Sequence, residues 1–158
     1  MTSFSNRDRL VTVFGGSGFV GRHVVRALAR EGYRIRVAVR RPDLANHLQP
    51  LGSVGQIHAV QANVRDRASV ERALAGSWGV VNLVGILFQA GAQRFDAVQA
   101  IGARNIAEAA AAAGVERLVH QSAIGADAES DSLYARSKAE GEAHVLEAFR
   151  NAVITRPS

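Results

Sequence analysis

The sequence predicts an α/β fold, in which a doubly wound parallel sheet is covered by helices on both faces. Short apolar runs alternate with longer amphipathic patterns along the whole 158-residue chain, which is typical of repeated strand–helix units. Glycines close three of the helical patterns, at Gly32, Gly76 and Gly114, where a left-handed cap commonly ends a helix. Strands separated by such helices run parallel, because the helix returns the chain to the starting edge of the sheet.

The apolar runs predict six strands, over residues 10–14, 34–39, 56–61, 79–84, 118–121 and 152–155. The amphipathic patterns predict four helices, over residues 20–31, 68–75, 95–113 and 134–149, with a shorter helix within 43–51. No internal repeat or linker interrupts this alternation, so we interpret residues 1–158 as one domain.

The first helical pattern has two contrasting faces. Val20, Val24 and Leu28 form an apolar face, which we expect to pack on the sheet. The opposite face carries arginine at every fourth position, namely Arg22, Arg26 and Arg30. This stripe is either a solvated helix face or a docking face for an acidic partner or anionic lipid headgroups.

Composition excludes several classes of protein. The chain has no cysteine, which excludes a disulfide scaffold and a thiolate metal site, and its histidines lack the spacing of metal ligands. No apolar run approaches the ~18 residues of a membrane-spanning helix. Residues 1–9 lack the apolar core of a signal peptide, so we expect a cytoplasmic protein. The net charge of +5 does not predict a nucleic-acid partner, because the arginines are spread out and not interleaved with aromatic residues.

A glycine cluster joins the first strand to the first helix, and residues 11–21 read VTVFGGSGFVG. Glycine at positions 15, 18 and 21 allows a tight turn, close approach of a phosphate and close packing of the helix on its strand. The helix N-terminus offers free N–H groups and a partial positive charge. We therefore predict a Rossmann-type fold that binds a dinucleotide, with contacts from Gly15, Ser17, Gly18, Phe19, Val20 and Gly21.

The end of the second strand predicts which dinucleotide is bound. Sites that prefer NAD carry a carboxylate there for the ribose hydroxyls, whereas this chain has Arg40 and Arg41. Two guanidinium groups can hold a 2′-phosphate as bidentate donors. This pair favours NADP(H) over NAD(H); otherwise it is simply two exposed arginines in a loop.

Further cofactor contacts are predicted after the third and fourth strands. Asn63 and Val64 follow the third strand, where a polar side chain can meet the adenine edge, while Asp66 is placed to cap the next helix. Leu83, Val84 and Gly85 follow the fourth strand. Gly85 permits close contact between backbone and cofactor, and the apolar residues can wall the nicotinamide.

Tyr134 and Lys138 are the candidate catalytic residues. They stand four residues apart on a predicted helix and therefore share a face. An ammonium group beside a phenol favours the ionised phenol, which can then exchange a proton with a substrate carbonyl or hydroxyl. The lysine can also bond the cofactor ribose. His120 lies nearby, and we interpret it as a strand histidine with its hydrogen bonds satisfied.

These motifs resemble those of the extended and atypical short-chain dehydrogenase/reductase superfamily, with which epimerases and dehydratases are grouped. Residues 15–21, 102–105 and 134–142 carry the resemblance. Residues 82–87 and 121–127 are similar to bacterial relatives of the NAD(P)H-binding accessory subunit of respiratory complex I. The resemblance spans residues 10–158 and implies the N-terminal cofactor half of a longer protein, because family members continue past a loop like residues 156–158 into a substrate region.

Two departures from the superfamily pattern concern catalysis. The resemblance places the catalytic serine at Ala123, with Ser122 one position earlier, and Gln99 stands where many relatives have a supporting asparagine. We therefore expect a cofactor-binding protein with weak or lost turnover, docked on a respiratory complex or at the inner-membrane surface. The alternative is an active NADP(H)-dependent reductase, epimerase or dehydratase that uses Tyr134 and Lys138, with Ser122 reaching the site.

Overall fold

A computed structural model describes residues 5–158, so the start of the N-terminal segment considered for a leader, residues 1–4, lies outside the described residues. Six parallel strands form one sheet in the order β3-β2-β1-β4-β5-β6. The strands are β1 Leu10–Phe14, β2 Arg34–Val39, β3 Ile57–Gln61, β4 Gly79–Asn82, β5 Arg117–Gln121 and β6 Val153–Thr155. The α-helices are α1 Phe19–Arg30, α2 Arg67–Leu74, α3 Gly102–Ala112 and α4 Leu133–Ala148.

Helices cover both faces of the sheet, as predicted, and each face has its own apolar core. Strand residues such as Phe14 and Leu118 pack with Ile106 of α3 on one face. On the other face, Val37 of β2 packs with Val25 of α1. The two cores follow from the winding, since the strand order runs outward from β1 in both directions and right-handed crossovers place the two sets of helices on opposite faces.

The predicted strands are confirmed, with bounds that agree to within two residues. The predicted caps are confirmed too, because Gly32, Gly76 and Gly114 have φ of +85°, +74° and +70°. The predicted helix over 95–113 is divided: Asp96–Ile101 forms a wider π-helical segment that leads into α3. The region 43–51 forms two 3-10 segments, Pro42–Leu44 and Asn46–Leu51, because Pro50 has no N–H for an α-helical bond.

The prediction for the apolar face of α1 is confirmed for Val24 and Leu28 and wrong for Val20. Val24 and Leu28 are half-buried and pack against the core on this face of the sheet, with Gly21, Val25 and Ala29 buried beside them. Val20 is 39% exposed. Its exposure follows from the glycine turn, because Gly21 lies so close to the backbone of the turn that a Cβ there would be 2.5 Å from Gly15 O. The helix therefore turns its glycine, and not Val20, toward the sheet.

Within residues 5–158, no helix combines the length and the apolar character that crossing a bilayer requires.

Candidate functional site

An open cleft of about 310 Å³ lies at the carboxyl ends of β1 to β4, where the strand order reverses between β1 and β4. Ligands bind at this position in doubly wound sheets. The cleft is lined by nine of the residues predicted to bind a cofactor: Gly15, Ser17, Gly18, Arg40, Asn63, Val64, Leu83, Val84 and Gly85. The structure thus brings residues from four strand ends into one site.

The glycine turn brings several backbones close together. Gly15 has φ of +76°, a region that L-residues with a side chain rarely adopt. Its N–H donates to Ala38 O at 3.1 Å, and a Cβ at this position would lie 3.1 Å from Leu83 C and Val84 N. The turn therefore has no room for a side chain at position 15, and it joins the ends of β1, β2 and β4.

The N-terminus of α1 points its free backbone N–H groups out of this turn. Gly18 is the N-cap and makes no side-chain cap hydrogen bond, so the first N–H groups of the helix are available to a ligand. Phe19 is 77% exposed and packs edge-on against His23 at 5.5 Å. Gly21 does not line the cleft; it supports the turn from beneath.

The two arginines after β2 are placed differently. Arg40 lines the cleft. Arg41 is exposed and donates from Nε and Nη2 to the two carboxylate oxygens of Asp43, at 3.1 Å and 2.7 Å. The structure therefore places one of the two predicted arginines at the cleft, while the guanidinium group of the other is held by a neighbouring carboxylate that the sequence reasoning did not consider.

The turn after β3 presents Asn63 to the cleft. Its Oδ1 accepts from Arg65 N at 3.1 Å, and its backbone N–H donates to Ser69 Oγ at 2.9 Å. These bonds fix the turn and leave Asn63 on the cleft wall. Asp66 is the N-cap of α2, with Oδ1 accepting from Ala68 N at 3.0 Å, so the predicted capping role is confirmed.

Gly85 connects the cleft to α4. A Cβ on Gly85 would lie 3.5 Å from Gln99 Oε1 and 3.7 Å from Lys138 Nζ. Gln99 Oε1 accepts from Ile86 N at 3.2 Å and its Nε2 donates to Ser137 Oγ at 2.8 Å, so this side chain ties the loop after β4 to α4. Lys138 therefore approaches the edge of the cleft at Gly85, which has no side chain to block it.

Lys138 is buried, and its Nζ donates to Gln121 O at 3.2 Å. Burial lowers the pKa of Lys138, and the Glu142 carboxylate opposes that shift. Tyr134 stands one turn earlier on α4 and is half-buried, with its ring edge-on to Phe95 at a centroid distance of 5.7 Å. The two candidate catalytic residues therefore share the helix face that was predicted, and Lys138 is the one that approaches the cleft.

Ser122 does not face the cleft. Its side chain is buried, and its Oγ has no hydrogen-bond partner in the described part of the chain. The hydroxyl lies beside the Glu142 carboxylate and lowers the pKa of that group. The hydroxyl therefore points into the domain interior, away from the residues that line the cleft.

A family model for NAD(P)H binding matches residues 15–153. The chain belongs to the NAD(P)H-binding family. The match includes the glycine turn, both arginines after β2 and the Tyr134–Lys138 pair, so the fold and the cleft belong to a nicotinamide dinucleotide-binding domain.

Two relatives and one solved structure are similar to this NAD(P)H-binding domain. NADH dehydrogenase (ubiquinone) 1 alpha subcomplex subunit 9 of Mus musculus is 38% identical over 151 residues, which are 94% of this chain and 40% of the relative. Ceramide reductase of Caulobacter vibrioides is 36% identical over 148 residues, 94% of this chain and 45% of the relative. The structure of Pen from Bacillus thuringiensis shares the fold, with a TM-score of 0.79 at 19% identity over 94% of this chain and 49% of that one.

These comparisons confirm the resemblance to the complex I accessory subunit and to reductases of the short-chain type. The chain spans about two fifths of the length of the curated relatives that it matches.

The NAD(P)H-binding domain also contains an ion pair that the sequence reasoning missed. Arg156, in the loop after β6, donates to both carboxylate oxygens of Glu142 at 2.8 Å and 2.6 Å. Burial raises the pKa of Glu142, but the hydrogen bonds from Arg156, the nearby Ser122 hydroxyl and the charge of Arg156 hold it below its usual value. Glu142 stands one helical turn after Lys138, so the i, i+4 spacing could have placed its carboxylate near Lys138, but no spacing in the sequence signals its pairing with Arg156.

His120 completes a buried polar group beneath the site. Its Nδ1 lies 3.1 Å from Asn82 Nδ2, which donates to it, whereas its Nε2 has no partner among the described residues. Burial and the Lys138 cation together lower the pKa of His120 to about 4, against the pull of Glu142. The predicted satisfaction of this histidine therefore holds for one ring nitrogen only.

Proposed function

We propose that this domain binds NADP(H) in preference to NAD(H). The observation that carries the proposal is Arg40, which lines the cleft directly after the end of β2. No carboxylate lines the cleft within the described part of the chain. The adenosine ribose would therefore lie near the cationic Arg40 and not near an acidic side chain. A guanidinium favours a 2′-phosphate through charge-assisted hydrogen bonds.

The residues around the cleft fit a dinucleotide along its whole length. Gly15 and Gly18 leave space at the α1 N-terminus, where Ser17 and the N–H groups of Phe19 and Val20 are placed for the pyrophosphate. Asn63 and Val64 would flank the adenine. Leu83, Val84 and Gly85 would line the nicotinamide site, and Lys138 would donate to the nicotinamide ribose. Gly21 contributes by packing beneath the turn.

Titration of the protein with NADPH and NADH tests this preference, and the adjacent arginines supply a matched pair of variants. Losing a charge-assisted hydrogen bond costs about 1.5–3 kcal/mol, so Arg40→Ala weakens NADPH binding roughly ten- to a hundredfold and leaves NADH unchanged. Arg41→Ala changes little, because Asp43 already holds that side chain. Tighter binding of NADH than of NADPH by the unmodified protein contradicts the proposal.

We further propose that turnover is weak or lost. Ala123 stands at the position of the catalytic serine, and the Ser122 hydroxyl lies inside the domain beside Glu142. Ser122 is therefore not placed in the cleft to hold a substrate oxygen together with Tyr134. Under this proposal, the bound nucleotide stabilises the protein or acts as a redox sensor.

The second candidate is an active NADP(H)-dependent reductase, epimerase or dehydratase. The buried Lys138 beside Gly85 and the similarity to a ceramide reductase favour it. When bound, the nicotinamide supplies or accepts a hydride. Tyr134 would then donate or accept the proton at the substrate oxygen, with Lys138 stabilising its ionised form.

Exchange and oxidation of bound NADPH with carbonyl and quinone substrates decide between these two candidates. Weak turnover predicts slow exchange and a rate that Tyr134→Phe does not alter. The other tyrosine provides the control, since Tyr33 stacks on Trp78 at 5.8 Å in the core beside α1. A rate that falls with Tyr134→Phe but not with Tyr33→Phe overturns the proposal of lost turnover.

The partner that we propose is a respiratory complex at the inner membrane, with this domain on the cytoplasmic side. The support is the 38% identity to a subunit whose name assigns it to NADH dehydrogenase. Co-migration of the protein with complex I from detergent-solubilised membranes on a native gel tests it. Migration of the protein apart from the complex under mild detergent contradicts it.

A further inference from the structure

The net charge of the protein is concentrated in its first 62 residues. They hold nine of the 19 basic side chains and three of the 14 acidic ones, whereas residues 63–158 hold ten basic and eleven acidic side chains. The first segment therefore carries +6 and the second −1. The basic segment contains β1, α1, β2 and β3, which form one side of the domain.

The exposed face of α1 is the centre of this basic side. Arg22, Arg26 and Arg30 are all exposed, and none of them forms an ion pair with any of residues 5–158. They follow one another by four residues, so they span about 12 Å along the helix. Elsewhere in the domain, arginines such as Arg67 and Arg104 are paired with glutamates.

The basic face continues past the end of α1. A groove of about 560 Å³ at the amino ends of the strands is lined by Arg7, Arg30 and Arg34 together with Val54. The Val54 side chain is fully exposed. The surface therefore combines unpaired guanidinium groups with one protruding apolar side chain at its rim.

This composition fits a lipid surface better than a protein partner. Protein interfaces depend on buried aromatic or aliphatic anchors, but the exposed residues that separate the three arginines are His23 and Ala27. The exposed Phe19 lies at the start of α1, next to the cleft residue Gly18. Anionic bilayers attract basic side chains through their surface potential and need no such anchor. An apolar residue at the edge of a basic face is typical of interfacial binding.

We propose that the outer face of α1, comprising Arg22, Arg26 and Arg30, docks the protein on anionic lipid headgroups. This face lies on the α1 side of the domain and does not line the cofactor cleft. Docking is therefore independent of nucleotide binding.

Co-sedimentation with vesicles of phosphatidylglycerol and phosphatidylcholine tests this proposal, with pure phosphatidylcholine vesicles as the reference. Each basic side chain near an anionic surface contributes about fivefold to partitioning, so R22Q/R26Q/R30Q lowers the partition coefficient about a hundredfold. The matched control is R72Q/R117Q/R150Q, which removes the same charge from exposed arginines of the nearly neutral segment. The control is expected to bind within a few-fold of the unmodified protein.

Three results overturn the proposal. The first is that the unmodified protein fails to bind anionic vesicles at low salt. The second is that both triple variants lose vesicle binding equally. The third is that the protein binds soluble polyglutamate but not vesicles, which would assign the face to an acidic protein. Glutamine keeps helix propensity close to that of arginine, and circular dichroism verifies folding. NADPH titration of the same variants separates this test from that of the proposed function, because their nucleotide affinity is expected to stay unchanged.

Discussion

Replacement of Gly21 by alanine is expected to damage both the fold and the cofactor site. The added Cβ would lie 2.5 Å from Gly15 O, Gly16 C and Gly16 O. These are backbone atoms of the turn, which cannot rotate away, so α1 must shift outward. Overpacking of this kind costs up to about 3 kcal/mol, against which alanine gains about 1 kcal/mol in helix propensity.

The net expectation for Gly21→Ala is a loss of about 2 kcal/mol in the free energy of unfolding. The outward shift also moves the N–H groups of α1 away from the turn, so NADPH binding weakens at least tenfold. Urea unfolding measures the first effect, and fluorescence titration of NADPH measures the second.

Gly18→Ala is the matched control for this prediction. Its Cβ would meet only Gly15 O, at 3.5 Å, which is an ordinary contact, and stability should fall by no more than about 1 kcal/mol for an alanine N-cap. Because Gly18 lines the cleft, nucleotide binding still weakens. A Gly21→Ala protein as stable as Gly18→Ala refutes the packing described for the turn.

Three further predictions concern the group around Lys138. The pKa of His120 is about 4, below the ~6.5 of an unfolded chain, so unfolded chains bind more protons between these values. The free energy of unfolding therefore falls by about 3 kcal/mol as the pH drops from 6.5 to 4, and urea titrations should lose this dependence in His120→Asn. Gly85→Ala should leave the urea midpoint unchanged, because the added Cβ lies at an ordinary distance of 3.7 Å from Lys138 Nζ. The same Cβ fills the approach to the cleft, so NADPH binding should weaken several-fold. Unchanged NADPH affinity contradicts this prediction. Glu142→Gln leaves Arg156 without its carboxylate partner and should lower the free energy of unfolding by about 1 kcal/mol at pH 7. Because the pKa of Glu142 is held below its usual value, the difference in stability between the two proteins should vanish on acidification. A difference that persists at low pH contradicts the ion pair.

Much of the fold could be predicted because its signals are local. The strands needed only short apolar runs between helical patterns. The turn at residues 15–21 needed only glycines between a strand and a helix, because φ of +76° at Gly15 and the contacts of Gly21 leave no space for a Cβ. The lining of the cleft then followed from the rule that parallel strands end at one edge of the sheet.

The errors arose where contacts between distant parts of the chain decide the structure. The orientation of α1 depends on contact between Gly21 and the turn. The π-helical segment Asp96–Ile101 places Gln99 against Gly141, where a Cβ would clash with Gln99 O. The inward position of Ser122 also depends on contacts between distant parts of the chain. Ser122 lies in the loop after β5, the nearby Glu142 lies on α4, and Glu142 pairs with Arg156 after β6. None of these contacts has a periodicity that a single sequence displays.

A crystal structure of the protein with NADPH tests the central claim most directly. We expect the pyrophosphate on the turn at Gly15 and Gly18, the 2′-phosphate at Arg40, and the nicotinamide beside Gly85 with Lys138 at its ribose. NADPH bound away from this cleft, or a 2′-phosphate with no contact to Arg40, would contradict the account.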